Sequence, residues 1–198
     1  MEVKNGEHFL KSVMLAEFLG TAGLMLGYNM NGGSAITALT LYTMIMLTAR
    51  ISGGHINPAV TLGVFIERKE YSKNICTSLL VILAQVLGAV FALPIGYMLR
   101  VTVHEADGAE SFEPGVNSFA PPILVATDGK PAYGQVMLAE TIGTFFFVLT
   151  ILIAKKEITE NGRDPAIWIL AMAIANKVEQ DMFADVSGGF VNPALAFA

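Results

Sequence analysis

The chain carries one pattern twice: Ser52-Gly53-Gly54-His55-Ile56-Asn57-Pro58-Ala59 and, further along, Ser187-Gly188-Gly189-Phe190-Val191-Asn192-Pro193-Ala194. A Glu-x-x-Gly-Thr sequence precedes each copy, beginning at Glu17 and at Glu140. Asn is a preferred helix N-cap and Pro is favoured in the first helical turn, so each Asn-Pro-Ala predicts a helix start. One such tripeptide would be an ordinary helix cap. Two copies in matched contexts indicate an internal duplication.

The composition indicates a polytopic membrane protein. Hydrophobic residues make up 54% of the chain and charged residues 15%, against about 45–50% and 25% in typical soluble domains. The mean hydropathy of +0.57 agrees with this class. The single cysteine, Cys76, excludes an intramolecular disulfide and a thiolate metal cluster. The sequence shows no Ser-His-Asp, Cys-His, paired-carboxylate or metal-ligand spacing. We therefore expect no catalytic residue, metal, cofactor or nucleic-acid partner.

The apolar segments have a repeated order. Five apolar stretches are readable: 12–30, 34–50, 75–99, 134–154 and 165–180. A span needs about 20 residues, so the second and fifth are short or flanked by polar ends. Two shorter ones, 54–66 and 189–198, begin at the Gly-rich loops and are interpreted as half-helices that enter the membrane. Irregular backbone persists at that depth only where protein buries it or water reaches it. Interrupted segments at corresponding places in two halves indicate inverted repeats with the functional site between them.

These motifs, together with Ala84-Gln85-Val86-Leu87-Gly88-Ala89, resemble the aquaporin and glycerol-facilitator (major intrinsic protein) family over nearly the whole chain. The resemblance implies an all-α membrane protein, built as an inverted repeat of three transmembrane helices plus a re-entrant half-helix. It also implies a homotetramer that acts as a passive channel for water and small uncharged solutes such as glycerol. The chain ends at Ala198, so we expect the last span to be missing. The alternative is a non-conducting membrane protein or partial chain that keeps the channel fold.

The expected division has three parts. Residues 1–100 form the first repeat with its half-helix, 101–133 an external connecting loop, and 134–198 an incomplete second repeat. The basic residues of the N-terminus and of the loops before the third and fifth stretches predict that these segments are cytoplasmic. They are Lys4, Lys11, Arg68, Lys69, Lys73, Lys155, Lys156 and Arg163. The 100–133 segment is acidic and is expected outside.

The resemblance also assigns pore residues. The centre would be formed by the two Asn-Pro-Ala motifs, Asn57, Pro58, Ala59, Asn192, Pro193 and Ala194. Their Asn side chains would cap the half-helices and donate N–H groups to one central water. The backbones of Gly53, Gly54, His55, Ile56, Gly188, Gly189, Phe190 and Val191 would offer a ladder of carbonyl acceptors. Glu17, Glu140 and Gln85 would hold the loops by hydrogen bonds to loop backbone; for the two glutamates, the alternative is a helix-end carboxylate at the membrane interface.

The outer filter is where the sequence departs from the family. The aligned positions are Thr37, Gln180, Gly189 and Leu195, with Asn176 replacing Gln180 if the register shifts by one turn. The family places an Arg after the second motif, whereas this chain has Leu195. Water-selective members carry an aromatic residue and a His at the first two positions, and glycerol-selective members carry an Asp where Ala196 stands here. We therefore expect an unorthodox member with a wide, weakly cationic filter, and its solute preference stays open.

Overall fold

A computed structural model describes residues 2–31, 34–69, 71–99, 101–106, 109–114 and 132–198. These ranges contain seven helices and one β-hairpin. The helices are α1 (Glu2–Asn31), α2 (Ser34–Ser52), α3 (Pro58–Arg68), α4 (Tyr71–Leu99), α5 (Tyr133–Thr159), α6 (Pro165–Ser187) and α7 (Pro193–Phe197). The all-α membrane fold is therefore confirmed, with short helices α3 and α7 starting at the two prolines.

Four helices have the length and apolar composition needed to cross a membrane: His8–Met30 of α1, Ala35–Ser52 of α2, Asn74–Leu99 of α4 and Tyr133–Thr159 of α5. The fifth predicted stretch forms α6, which is 23 residues long. At 1.5 Å per residue that is about 34 Å, enough to span a bilayer core. Its second half carries the polar residues Asn176, Lys177, Glu179, Gln180 and Asp181, which lower its hydropathy.

The helices pack in the order expected of two related halves. α1 lies along α2 and α4, while α5 lies along α6, and α2 and α6 pack together across the centre. The short α3 contacts α4 and α5, and α7 contacts α3 and α4. In the first half, α4 packs along the length of α1. In the part of the chain that the structure describes, no helix packs along α5 in the corresponding way.

Gly88 lies at a close crossing between α1 and α4. A Cβ at this position would lie 2.3 Å from the carbonyl oxygen of Phe18. Only glycine therefore allows the two backbones to approach this closely, as small residues do at helix interfaces in membranes.

The outer surfaces of the helices are apolar. On α4, Leu79, Leu83 and Leu87 recur every four residues and are each at least 50% exposed. A cavity of about 530 Å³ opens between α3 and α5, with Leu62, Phe145 and Leu149 among its lining residues. Contiguous exposed apolar surface of this extent is typical of helices that face lipid or another helix. The chain is accordingly a multi-pass membrane protein.

The segment expected to be a loop begins with a two-stranded antiparallel hairpin, which the sequence analysis did not predict. The strands are β1 (Val101–Ala106) and β2 (Ala109–Pro114), and Val101 pairs with Pro114. The strand backbones are hydrogen-bonded to each other in an antiparallel ladder. The remainder of the expected loop, 115–131, lies outside the described residues.

Candidate functional site

The two motif loops meet between the halves and are hydrogen-bonded to each other. The Nδ2 of Asn57 donates to the carbonyl oxygen of Val191 at 2.8 Å. The Nδ2 of Asn192 donates to the carbonyl oxygen of Ile56 at 3.0 Å. Both asparagines are at most 3% exposed. Each half therefore supplies the acceptor for the other half's amide.

The same asparagines cap the half-helices. Asn57 Oδ1 accepts the backbone N–H of Ala59 at 2.8 Å, and Asn192 Oδ1 accepts that of Ala194 at 3.1 Å. Both caps have extended backbone, and Pro58 and Pro193 occupy the first helical positions. A carboxamide has two N–H donors and one oxygen. With one N–H and the oxygen used, one N–H of each side chain stays available at the junction.

The two loops have nearly the same backbone conformation. Gly53 and Gly54 have φ of 90° and 59°, while Gly188 and Gly189 have φ of 88° and 60°. In each copy a serine hydroxyl, that of Ser52 or Ser187, accepts the N–H two residues later. The duplication seen in sequence is therefore a duplication of local geometry.

Ile56 and Val191 are β-branched residues held at positive φ, 53° and 42°. This region is strongly disfavoured for such side chains and costs on the order of 1–3 kcal/mol each. Both side chains are completely buried. Their carbonyl oxygens accept the cross-loop bonds from Asn192 and Asn57, so the strained residues are the ones that join the halves.

Glu17 holds the first loop from within the bundle. Its Oε1 accepts the N–H of His55 at 2.9 Å, and its Oε2 accepts that of Ile56 at 2.7 Å. Gln85 Nε2 donates to Glu17 Oε2 at 2.7 Å and to Thr61 Oγ1 at 2.9 Å. Gln85 therefore acts on the loop through the carboxylate rather than by bonding loop backbone, which corrects the expectation. Thr61 had not been singled out; its place one turn after Asn57 is the signal that could have found it.

Glu140 occupies the matching place in the second half. Its two oxygens accept the N–H groups of Phe190 and Val191, each at 3.0 Å. The hydroxyl of Ser187 donates to Oε1 at 2.6 Å, a contact that the sequence analysis missed. Glu17 is completely buried, whereas Glu140 is half-buried and lines the open groove between α3 and α5.

The glycine of each Glu-x-x-Gly-Thr sequence has a packing role. A Cβ on Gly20 would lie 3.1 Å from two carbons of the Ile56 side chain, and one on Gly143 would lie 3.0 Å from Val191 Cγ1. The glutamate thus holds the backbone of the strained residue, and the glycine one turn later makes room for its side chain. This explains why the two residues recur at this spacing.

The expected filter residues lie at the other end of α2 and α6 from the first loop. Thr37, Gln180 and Leu195 are all at most 5% exposed. The backbone of Gln180 lies very close to Gly189. A Cβ added to Gly189 would be 2.5 Å from the Gln180 carbonyl oxygen. Among the residues that the structure describes, both amide atoms of Gln180 and Oδ1 of Asn176 are buried without a hydrogen-bond partner. Both residues therefore present polar atoms on one face of α6.

The first loop opens toward the opposite end of the bundle, where the helix ends carry basic residues. His55 Nδ1 lies 3.1 Å from Thr61 Oγ1. A cavity of about 290 Å³ reaches Gly53 and Gly54 between α2, α5 and α6, and Arg50 and Lys155 contribute to its lining. Within the described ranges, no group of three potential metal ligands comes together.

Comparison with known proteins gives a family. The model of the major intrinsic protein family matches residues 5–124. Aquaporin PIP2-1 of Arabidopsis thaliana is 33% identical over 159 residues, which are 79% of this chain and 50% of that protein. Aquaporin PIP2-5 of Oryza sativa subsp. japonica is 34% identical over 157 residues, 78% of this chain and 50% of the relative. The chain spans about half the length of the curated relatives it matches. The matched motif loops, their shared geometry and the family model together establish that the chain belongs to the major intrinsic protein family.

Proposed function

We propose that this chain forms a passive channel for water and small uncharged solutes, with the passage running between the two motif loops. The observation that carries the proposal is the pair of buried asparagines, each with one N–H left over after capping its own helix and bonding the opposite loop. Those two donors can hold a single water through its oxygen. The hydrogens of that water then point away from the junction, so a continuous proton relay is interrupted while water still passes.

The carbonyl groups of the loops extend this path. Gly53, Gly54, Gly188 and Gly189 have positive φ, which favours glycine, and lie on either side of the junction. Their carbonyl oxygens are the acceptors that a file of water needs in an otherwise apolar tube. No covalent step is required, and the proposed role is transport and not catalysis.

Water flux across proteoliposomes tests the proposal. The full chain should raise osmotic water permeability, measured by stopped-flow light scattering, well above that of protein-free vesicles. Asn57→Ala and Asn192→Ala should each lower it, because both remove a cap and a cross-loop bond. Asn161→Ala is the matched control, since Asn161 is exposed and bonds only Glu157 among described partners. Permeability equal to that of empty vesicles would favour the alternative, a non-conducting protein of the same fold.

The outer end is proposed to admit solutes larger than water. Thr37 and Gly189 are small and Leu195 carries no charge. Gln180 and Asn176 offer unpaired polar atoms to a solute. Introducing a guanidinium at position 195 would narrow this end, so Leu195→Arg should reduce glycerol and urea permeability more than water permeability. Unchanged solute permeability in that variant, with Leu195→Met as control, would show that position 195 does not line the constriction.

We propose a homotetramer with one pore per subunit, from family membership and from the apolar outer faces of α4 and α5. The N-terminus and the 155–164 segment are proposed to be cytoplasmic. Chemical crosslinking in native membranes, read as a ladder ending at four subunits, tests the assembly.

A further inference from the structure

Lys155 places an ammonium group at the inner end of the proposed passage. It lies in the last turns of α5, and a Cβ on Gly53 would be 3.3 Å from its Nζ and 3.4 Å from His55 Nε2. The side chain lines the cavity of about 290 Å³ that leads to the Gly53–Gly54 backbone. Apart from Arg50 and Thr159, the other side chains of that lining are apolar. The charge therefore stands where a solute would meet the first loop.

The charge of Lys155 is not cancelled by a contact ion pair. Glu17, Arg68 and Glu67 are among the charged groups that influence it, and no carboxylate in the described ranges lies within 4 Å of its ammonium. Glu17, which has the larger influence of the two carboxylates, already accepts three hydrogen bonds from the first loop and Gln85. The adjacent Lys156 differs, since it is exposed and lies 3.8 Å from Glu160.

The expected filter positions at the opposite end of the passage differ from this inner end. The four expected filter residues there, Thr37, Gln180, Gly189 and Leu195, are all uncharged. A positive charge inside a narrow, poorly hydrated opening repels cations strongly, because the local dielectric constant is well below that of water. A positive charge at the inner end would therefore repel cations that the uncharged filter positions do not.

We propose that Lys155 is a specificity-determining residue of the channel, which excludes cations at the inner mouth while neutral solutes pass. The inference rests on the proposed function, since it requires a conducting passage. It assigns the charge filter to a side chain of α5 near the first motif loop, and it leaves the size filter at the other end.

Urea and guanidinium provide the test, because they are planar, nearly the same size and differ in charge. The full chain, Lys155→Met, Lys155→Arg and the control Lys156→Met are reconstituted in liposomes. For each, the permeabilities to water, urea and guanidinium are measured at millimolar concentrations. Lys155→Met should raise the guanidinium-to-urea permeability ratio by about tenfold or more, since an unscreened charge at this site is lost. Lys155→Arg should keep the original ratio. Lys156→Met should change it by less than about twofold, since an exposed charge is screened by salt.

Each outcome has a distinct meaning. Equal guanidinium-to-urea permeability ratios in Lys155→Met and Lys156→Met, with water flux intact in both, would overturn the inference. The proposed channel function would be unaffected by that result. Loss of water flux in Lys155→Met alone would also overturn it, because the charge would then support the structure and not the filter. A full chain without water or urea flux above empty vesicles would reject the channel function and this inference with it.

Discussion

At the scale of single residues, the two glutamates determine whether the loops can keep their strained shape. Glu17 and Glu140 each accept two consecutive backbone N–H groups, the second from a β-branched residue at positive φ. Without these acceptors the N–H groups would be buried and unpaired. Relaxation of the backbone out of the strained conformation would then lower its free energy.

Glu17→Gln should therefore destabilise the protein and reduce its water flux. The amide keeps the shape but replaces one acceptor oxygen by a donor, which leaves a buried N–H unpaired at a cost of about 1–3 kcal/mol. Glu140→Gln should act in the same direction, because it leaves the backbone N–H of Phe190 or Val191 without its acceptor. Thermal unfolding in detergent and stopped-flow flux measure the two effects. A Glu17→Gln protein as stable as the parent would contradict the role assigned to the carboxylate.

At the scale of elements, the bundle depends on close crossings that only glycine permits. Gly88 on α4 touches the backbone of α1 at Phe18, so an added methyl group would push the two helices apart. α1 carries Glu17 one residue before that contact. A shift of α1 would therefore move the carboxylate that holds the first loop.

Gly88→Ala should lower stability by about 1–3 kcal/mol, the usual range for overpacking, and should reduce water flux as well. Gly134→Ala is the control, because Gly134 lies on α5 and a methyl group added there would have nothing within 4 Å. That change should be neutral or slightly stabilising, since Ala is the better helix former. Thermal unfolding of both variants decides it. A Gly88→Ala protein as stable as the parent would mean that α1 and α4 can separate without loss.

The helix starts at the site could be predicted from local sequence patterns. The contacts between side chains of different helices could not. The starts of α3 and α7 were predicted from Asn-Pro, a cap that acts within four residues. The hydroxyl contacts of Thr61 and Ser187 were missed because they depend on how helices face each other. The place of Lys155 was missed for the same reason, since charge counting assigned it to a surface loop. The hairpin at 101–114 escaped notice because its alternation is short and lies within an acidic, Pro-rich segment.

At the scale of the whole molecule, several basic groups lie at the end of the bundle near the first loop, and the acidic connection follows the opposite end of α4. Arg50, Arg68 and Lys155 are near the first loop, at the ends of α2, α3 and α5. Cytoplasmic loops carry an excess of Lys and Arg, so this end is expected inside the cell.

In sealed right-side-out vesicles, added protease should cleave within 101–133 and spare the 155–164 segment. In inverted vesicles the pattern should reverse. Fragment sizes by mass spectrometry identify the cleavage sites, with detergent-opened vesicles as the control for accessibility. Cleavage of 101–133 only in inverted vesicles would show that the topology is the opposite.

The exchanged asparagine bonds bear on how such a protein could arise. Neither half can satisfy its own junction, because the acceptor for each amide belongs to the other half. The local sequence around both junctions is nearly the same, so each half also presents what a second copy of itself would need. A single ancestral half could therefore have assembled as an antiparallel pair of identical chains before fusion. After fusion the two copies could diverge in side chains such as His55 and Phe190. The two asparagine donors and the backbone carbonyl acceptors of the exchanged bonds would have to be kept.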